Sequence, residues 1–322
     1  MGVMVITGKR IIRLANSIIN TAVLIVFMVL FAFGCYAIWD SDQVYRAADA
    51  ARYETYKPTS EYGIDSFKDL QAINPEVIAW LTVYGTHIDY PMAQADNNMK
   101  YVNMDAKGKY SLSGSIFLDS RNSPDFSDFS SIIYGHHMDQ HKMFGEIEQF
   151  ADKKYFDARQ YGSLYYGGQE HGIWFFAFIY ADAYDNTIFR TKITNRQAYL
   201  NMLMGKAVHR RADVPVTAAD RIILLSTCSS SSTNGRGILI GKITDAVYAD
   251  PFKTDIKSIP VINELPGIWA QISIAAMLFL LILLAVVLAQ AIKKKRSLVH
   301  DKLRGRTGSE KDERNHEQKA DS

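Results

Sequence analysis

Three residues of this sequence suggest covalent acyl transfer. Cys228 ends Ile222-Ile223-Leu224-Leu225-Ser226-Thr227-Cys228, a strand of buried type with a thiol at its tip. Arg236 opens the next strand-like run after a serine- and glycine-containing loop, so a hairpin would set the two side by side. His136 closes Ile132-Ile133-Tyr134-Gly135-His136, again at a strand end. A thiol at an ordinary pKa of about 8.5 is only ~3% ionised at neutral pH, and an adjacent imidazole is the usual base that activates it. Arg236 stays protonated and cannot be that base. It can stabilise negative charge on a tetrahedral intermediate. Plainer readings exist for each: a small buried hydrophobe for Cys228, a structural histidine, a solvated arginine. Spacing alone does not bring the three together.

Other chemistries fit less well. His137 and His141 are four apart, but there is no HExxH arrangement and no cysteine ligand nearby. The His136, His137 and His141 group is therefore not read as a metal site. No phosphate loop and no basic-aromatic patch is present in the region after the first apolar stretch, so neither a cofactor nor nucleic acid is expected.

The elements that must position these residues are mainly strands. Residues 78–83, 87–92, 113–119, 130–136, 173–184, 221–228 and 237–248 are rich in Ile, Phe, Tyr and Leu, as strands prefer. Several short strands in one domain imply a barrel or sandwich. Helical spacing appears over 143–150 and over 194–208, the latter with Thr194 and Gln197 placed as a capping box. A short helix around Phe67 and Leu70 ends at Asn74-Pro75.

The chain has 322 residues and a formal net charge of +2. Residues 17–38 and 268–292 are uncharged, apolar and long enough to cross a hydrocarbon core, which takes about 20 helical residues. Lys9, Arg10 and Arg13 precede the first; Lys293, Lys294, Lys295 and Arg296 follow the second. Basic flanks favour the cytoplasmic side. Both termini are thus expected inside and residues 40–267 outside. Bulky Tyr36, Ile38 and Trp39 stand where a cleavage site would need small residues, so the first span is expected to persist as an anchor. The expected order is a cytoplasmic segment (1–16), a span (17–38), a stalk with short helices (39–73), the main domain (74–258), a second span (268–292) and a basic, disordered cytoplasmic tail (293–322). Of two cysteines, Cys35 lies in the first span, which leaves Cys228 unpaired in the outer domain.

Over about 74–243 the chain resembles the class B sortases. Asn74-Pro75-Glu76-Val77-Ile78-Ala79-Trp80-Leu81 is similar to the family's NPxxxxWI opening, and Ile88-Asp89-Tyr90-Pro91 to its next strand. Gly114-Ser115-Ile116-Phe117-Leu118-Asp119 with Arg121-Asn122 resembles GSIFxDxRN. Tyr134-Gly135-His136-His137-Met138 with Met143-Phe144 resembles YGHxM…MF, and Leu225-Ser226-Thr227-Cys228 resembles LxTC. The resemblance implies a mainly β fold, an eight-stranded barrel with peripheral helices, one strand more than the seven read directly. It implies Cys228 as nucleophile, His136 as acid/base, and Arg236 as the residue that positions substrate and stabilises the oxyanion. The implied reaction is that of a cysteine transpeptidase. The thiol cleaves a surface protein's sorting motif of NPxTG or LPxTG type, as a cysteine endopeptidase would. The resulting thioacyl group passes to a lipid II or peptidoglycan cross-bridge amine. No metal, calcium included, is implied. Substrate contacts implied by matching segments are Asn98, Val102, Ser226, Tyr184, Ile188 and Phe189, with barrel packing the competing role for Ile188 and Phe189.

Departures from the family pattern bear on specificity. Leu224 stands where Thr is frequent, and the loop 229–235 lacks the acidic residue common after the cysteine. A second span is more usual in pilus-building class C enzymes, but no aspartate-aromatic lid precedes the barrel. Asp250-Pro251-Phe252 has similar letters but follows the last strand. The alternatives are a pilin-polymerising sortase using a Lys amine and a non-catalytic membrane peptide receptor.

Overall fold

The computed structural model describes residues 8–58, 65–228 and 234–253. By contacts the chain divides between Asp40 and Ser41 into an N-terminal unit and the unit that carries the sheet. The first helix, α1 (Gly8–Ala47), runs through both. Among the described residues it is the helix long and apolar enough to cross a membrane. Most of its apolar side chains from Ile11 to Trp39 are exposed. The second expected span, 268–292, and the tail after it lie outside the described residues.

Residues 39–73, expected as a stalk, hold the end of α1, a 3-10 helix (Ala50–Tyr56) and α2 (Asp65–Ile73). Tyr53, Phe67 and Leu70 from these elements are buried in the main core. The Tyr90 hydroxyl donates to the Ala48 carbonyl at 2.9 Å, fixing the end of the first helix to the sheet.

The sheet contains β1 (Val77–Val83), β2 (Asp89–Ala93), β3 (Ile116–Leu118), β4 (Ser130–Tyr134), β5 (Tyr161–Tyr166), β6 (Gln169–Asp182), β7 (Ala207–Arg210), β8 (Arg221–Cys228) and β9 (Gly235–Thr244). Their order is β5-β1-β2-β3-β4-β8-β9-β6, and β6 pairs back onto β5, so eight strands close a barrel. β7 is appended along the second half of β6. Closure removes the unpaired edges that a sheet otherwise presents.

Alternation along the strands sorts side chains into two cores. Ile133 of β4, Ile223 and Leu225 of β8, and Leu239 and Ile243 of β9 fill the barrel interior. Their neighbours Ile132, Ile222, Leu224, Ile238 and Ile240 face the other way into a second cluster. A bulge between Phe175 and Ala177 shifts the phase of β6, so Phe175 and Phe178 both reach the interior. Burying one such side chain contributes about 1.5–3 kcal/mol.

Two strands escape the direct sequence reading. β5 joins β6 through Gly167-Gly168, both at positive φ (60° and 81°), a two-residue hairpin turn that only such residues take readily. β7 begins at the end of the helix expected over 194–208 and runs two residues past it. The helix α4 is shorter, Arg196–Gly205, and its cap is Asn195, whose side chain accepts from the Ala198 amide at 2.9 Å, rather than Thr194. The helix expected over 143–150 is a 3-10 helix, Ile147–Ala151, followed by α3 (Lys153–Ala158). Asp152 is extended and caps α3 through the Tyr155 amide, which interrupts a continuous helix.

Candidate active site

Strand register places the three chemistry-bearing residues in one row. β4 and β8 run parallel with Tyr134 opposite Ser226, and the Gly135 amide continues the ladder to the Ser226 carbonyl at 3.2 Å. Two residues beyond that pair stand His136 and Cys228. β8 and β9 run antiparallel with Cys228 opposite Arg236. Cys228 and Arg236 are cross-strand partners, and the β4–β8 register, carried two residues past the end of β4, sets His136 level with them. Hydrogen-bonded neighbours in a sheet are about 4.8 Å apart. Ile132, Tyr134, Leu224, Ile238 and Ile240, from the same three strands, pack in the second cluster.

His136 is half-buried, and its Nε2 lies 2.8 Å from the Val102 carbonyl. A carbonyl only accepts, so Nε2 carries a proton and donates it. Nδ1 is left as the nitrogen that can exchange a proton with a reacting group. The His136 carbonyl in turn accepts from the Phe144 amide at 2.9 Å, which holds the following loop against the ring's own backbone.

The Val102 carbonyl is itself held by the opening motif. Asn74 donates to the Tyr101 hydroxyl at 2.8 Å and to the Ala106 carbonyl at 3.1 Å. Tyr101 donates to Glu76 at 2.6 Å, and Lys100 pairs with the same carboxylate at 2.6 Å. Gly114 (φ 59°) packs against this loop so closely that a Cβ would fall 2.6 Å from both the Tyr101 and Val102 carbonyl oxygens. Neither backbone atom can move without moving the acceptor of His136. Gly114→Ala is expected to lower kcat by about 10- to 100-fold with little change in KM, because small misplacements of a catalytic group cost that much. Steady-state kinetics on the folded variant checks this.

A second polar group underlies β4. Asp119 is fully buried and receives Arg121 Nε and Nη2 at 2.9 and 2.7 Å, the Arg121 amide at 3.0 Å and the Tyr134 hydroxyl at 3.0 Å. Burial pushes its pKa up, but these donors outweigh burial and hold it below the ordinary carboxylate value. The folded pKa is depressed, so the stability it contributes is complete above the unfolded value of about 3.9 and is lost as pH falls through the folded one. Asp119→Asn is expected to cost about 2 kcal/mol at neutral pH, since a buried charged acceptor is removed. It should also flatten the loss of stability below about pH 4. Denaturant unfolding at several pH values tests both.

No family model matches the chain. Sortase B of Listeria monocytogenes is 34% identical over 184 residues, spanning 56% of this chain and 74% of that protein. The chain belongs to the class B sortase family. Among solved structures, a Streptococcus pyogenes class B sortase involved in pilus biogenesis is 44% identical, with a TM-score of 0.52, and covers 55% of this chain and 97% of its own. A C232S mutant of Clostridium perfringens sortase B is 30% identical with a TM-score of 0.58, covering 61% of this chain and 97% of its own. Class B sortases are cysteine transpeptidases, and the closed eight-stranded barrel is the fold they share.

The sortase's expected substrate contacts separate into distinct environments. Ser226, in line with the row, is buried, and its hydroxyl has no partner among the described residues. The Asn98 amide oxygen accepts from the Ser120 amide at 2.7 Å, which leaves its NH2 as the end without a partner among the described residues. Val102 meets His136 through its backbone, a contact that side-chain type cannot reveal. Tyr184 is exposed on the turn after β6. Ile188 is fully buried, and its carbonyl accepts from the Tyr199 hydroxyl at 2.7 Å. Phe189 is buried at the cluster's edge, stacked on Tyr134 with centroids 6.3 Å apart. Ile188 and Phe189 thus pack the second cluster, and Phe189 also borders the row. Tyr134, next to the row and tied to Asp119, went unassigned from sequence although it stands in the quoted YGH segment.

Proposed function

We propose that this sortase cleaves the sorting motif of a surface protein and transfers the acyl group to an amine through a thioester on Cys228. The level row of His136, Cys228 and Arg236 carries this reading. The Cys228 thiolate attacks the carbonyl of the motif's Thr, and Arg236 offsets the charge that develops on the carbonyl oxygen. His136 protonates the departing amine as the C–N bond breaks. An incoming amine then attacks the thioester, gives its proton to His136 and expels the thiolate, which restores the enzyme. Arg236→Lys keeps the charge but loses the planar fork, and is expected to lower kcat/KM by about 100-fold.

The substrate class is an NPxTG- or LPxTG-type peptide. The acceptor proposed is a cell-wall cross-bridge amine. A second reading, a pilin Lys amine, is favoured by the 44% identity to the pilus-biogenesis sortase. Peptides of both motif types, incubated with the full chain and either triglycine or a Lys-bearing pilin peptide, distinguish them by product mass. Turnover with triglycine alone supports anchoring, and turnover with the Lys peptide alone supports polymerisation. No turnover with any combination counts against transpeptidation.

The proposed setting is the cell membrane, with α1 as anchor, a second span at 268–292, both termini cytoplasmic and the barrel outside. The unburied apolar length of α1 supports the anchor. Protease digestion of intact cells tests the topology: cleavage confined to the barrel region is expected, and a tail digested from outside contradicts it.

A further inference from the structure

The loop after His136 carries a group of side chains that acyl transfer does not use. His87, from the turn between β1 and β2, and His141, from this loop, stack face to face with ring centroids 5.1 Å apart. Beside the pair lies Glu146, whose side chain is only 5% exposed. His87 Nδ1 is 3.1 Å from one Glu146 oxygen, and His141 Nδ1 is 3.4 Å from the other. All three donor atoms lie within 4.8 Å of one another. Four ligands at about 2.0–2.1 Å around a tetrahedral ion stand roughly 3.3–3.4 Å apart, so three donor atoms within 4.8 Å of one another need only small side-chain rotations to share one ion.

The surroundings hold the carboxylate in place. Glu146 accepts from the His87 amide at 2.5 Å and from the Tyr155 hydroxyl at 3.2 Å. The Tyr155 hydroxyl and the His87 amide are outer partners of the kind that orient a ligating carboxylate. The loop is held in an unusual shape: Gln140, His141 and Met143 all take positive φ, at 57°, 59° and 51°. Non-glycine residues adopt that conformation rarely, and runs of it concentrate where function demands it. Here it turns His141 toward a histidine 54 positions earlier in the chain. The imidazoles are 68% and 52% exposed, so an ion can reach them from solvent.

We propose that His87, His141 and Glu146 bind a divalent transition-metal ion of the zinc class, tying the loop that follows His136 to the β1–β2 turn. Two imidazoles and one carboxylate suit such ions and leave a fourth position for water. No residue of the catalytic row is a ligand, so the proposal stands independently of the transfer reaction.

The test is zinc titration of the metal-free full chain in detergent, without an oligohistidine tag, against a chromophoric chelator. One equivalent of Zn2+ is expected to bind wild type and Cys228→Ala alike, and to raise the Tm of both by mass action. His87→Ala and His141→Ala are expected to weaken binding at least about 100-fold, since losing a ligand costs no less than losing its outer partner. Both side chains are exposed, and circular dichroism confirms that the variants fold. Co2+ in place of zinc should give visible bands without a thiolate charge-transfer band. Absence of binding, binding unchanged in either histidine variant, or binding lost in Cys228→Ala would each overturn the proposal.

Discussion

Cys228→Ala is expected to reduce transpeptidation by at least about 10^4-fold, to the level of the uncatalysed reaction. Covalent catalysis has no substitute atom in an alanine, and loss of the nucleophile in other acyl-transfer enzymes is of that size or larger. Cys228→Ser is expected to be nearly as inactive. A hydroxyl needs a strong base at the moment of attack, whereas the partner of His136 is a neutral backbone carbonyl and not a carboxylate that would stabilise the imidazolium. Substrate affinity should change little in either variant, because neither substitution alters the expected substrate contacts. Single-turnover kinetics with parallel peptide-binding measurements separates the two quantities.

His136→Ala is the second large effect, a fall of about 10^3-fold in kcat/KM, in the range expected for a general acid–base. Its residual rate should rise with pH, because the thiolate is the attacking species. It should not recover fully, because no group remains to protonate the leaving amine. The alkylation rate of Cys228 at alkaline pH is expected to stay near wild type. A variant that loses alkylation and acylation together would indicate a structural role for His136 instead. Combined with Cys228→Ala, the substitution should cost little more than Cys228→Ala alone, since the two act as one unit.

The site's residue types were readable from sequence because each stands at a strand end beside a loop. The pairing of Cys228 with Arg236 follows from the hairpin read in the sequence, but the place of His136 beside them was not readable. β4 and β8 form a parallel pair, and Tyr134 and Ser226 are 92 positions apart in the chain. A parallel register carries no local turn signal that could reveal it. The acceptor of His136 is a backbone carbonyl, whose position depends on Asn74, Glu76, Tyr101 and Gly114 acting together. Those residues belong to quoted motifs, but their role is visible only once the loop is closed.

Barrel membership was readable where strands alternate cleanly, as in β8 and β9. It failed where strands were short or helical neighbours intervened. β7 is four residues long and follows α4 with a single residue between, so helical spacing extended into it. β5 was passed over although the Gly167-Gly168 turn marked its end. Histidine spacing was silent in a different way. The close group of His136, His137 and His141 does not converge, because His136 bonds Val102, whereas His141 meets His87 from another turn. Short sequence spacing is a poor guide on a loop that has neither helical nor strand periodicity.

The central claim is the thioester on Cys228, and intact-protein mass spectrometry of the full chain in detergent tests it most directly. The protein would be mixed with NPxTG- and LPxTG-type peptides without an amine acceptor and quenched in acid. One motif is expected to leave an adduct with the mass of the peptide up to its Thr, localised to Cys228 and absent from Cys228→Ala. A folded protein that forms no adduct with any of these peptides, or forms one that survives in Cys228→Ala, would contradict the account.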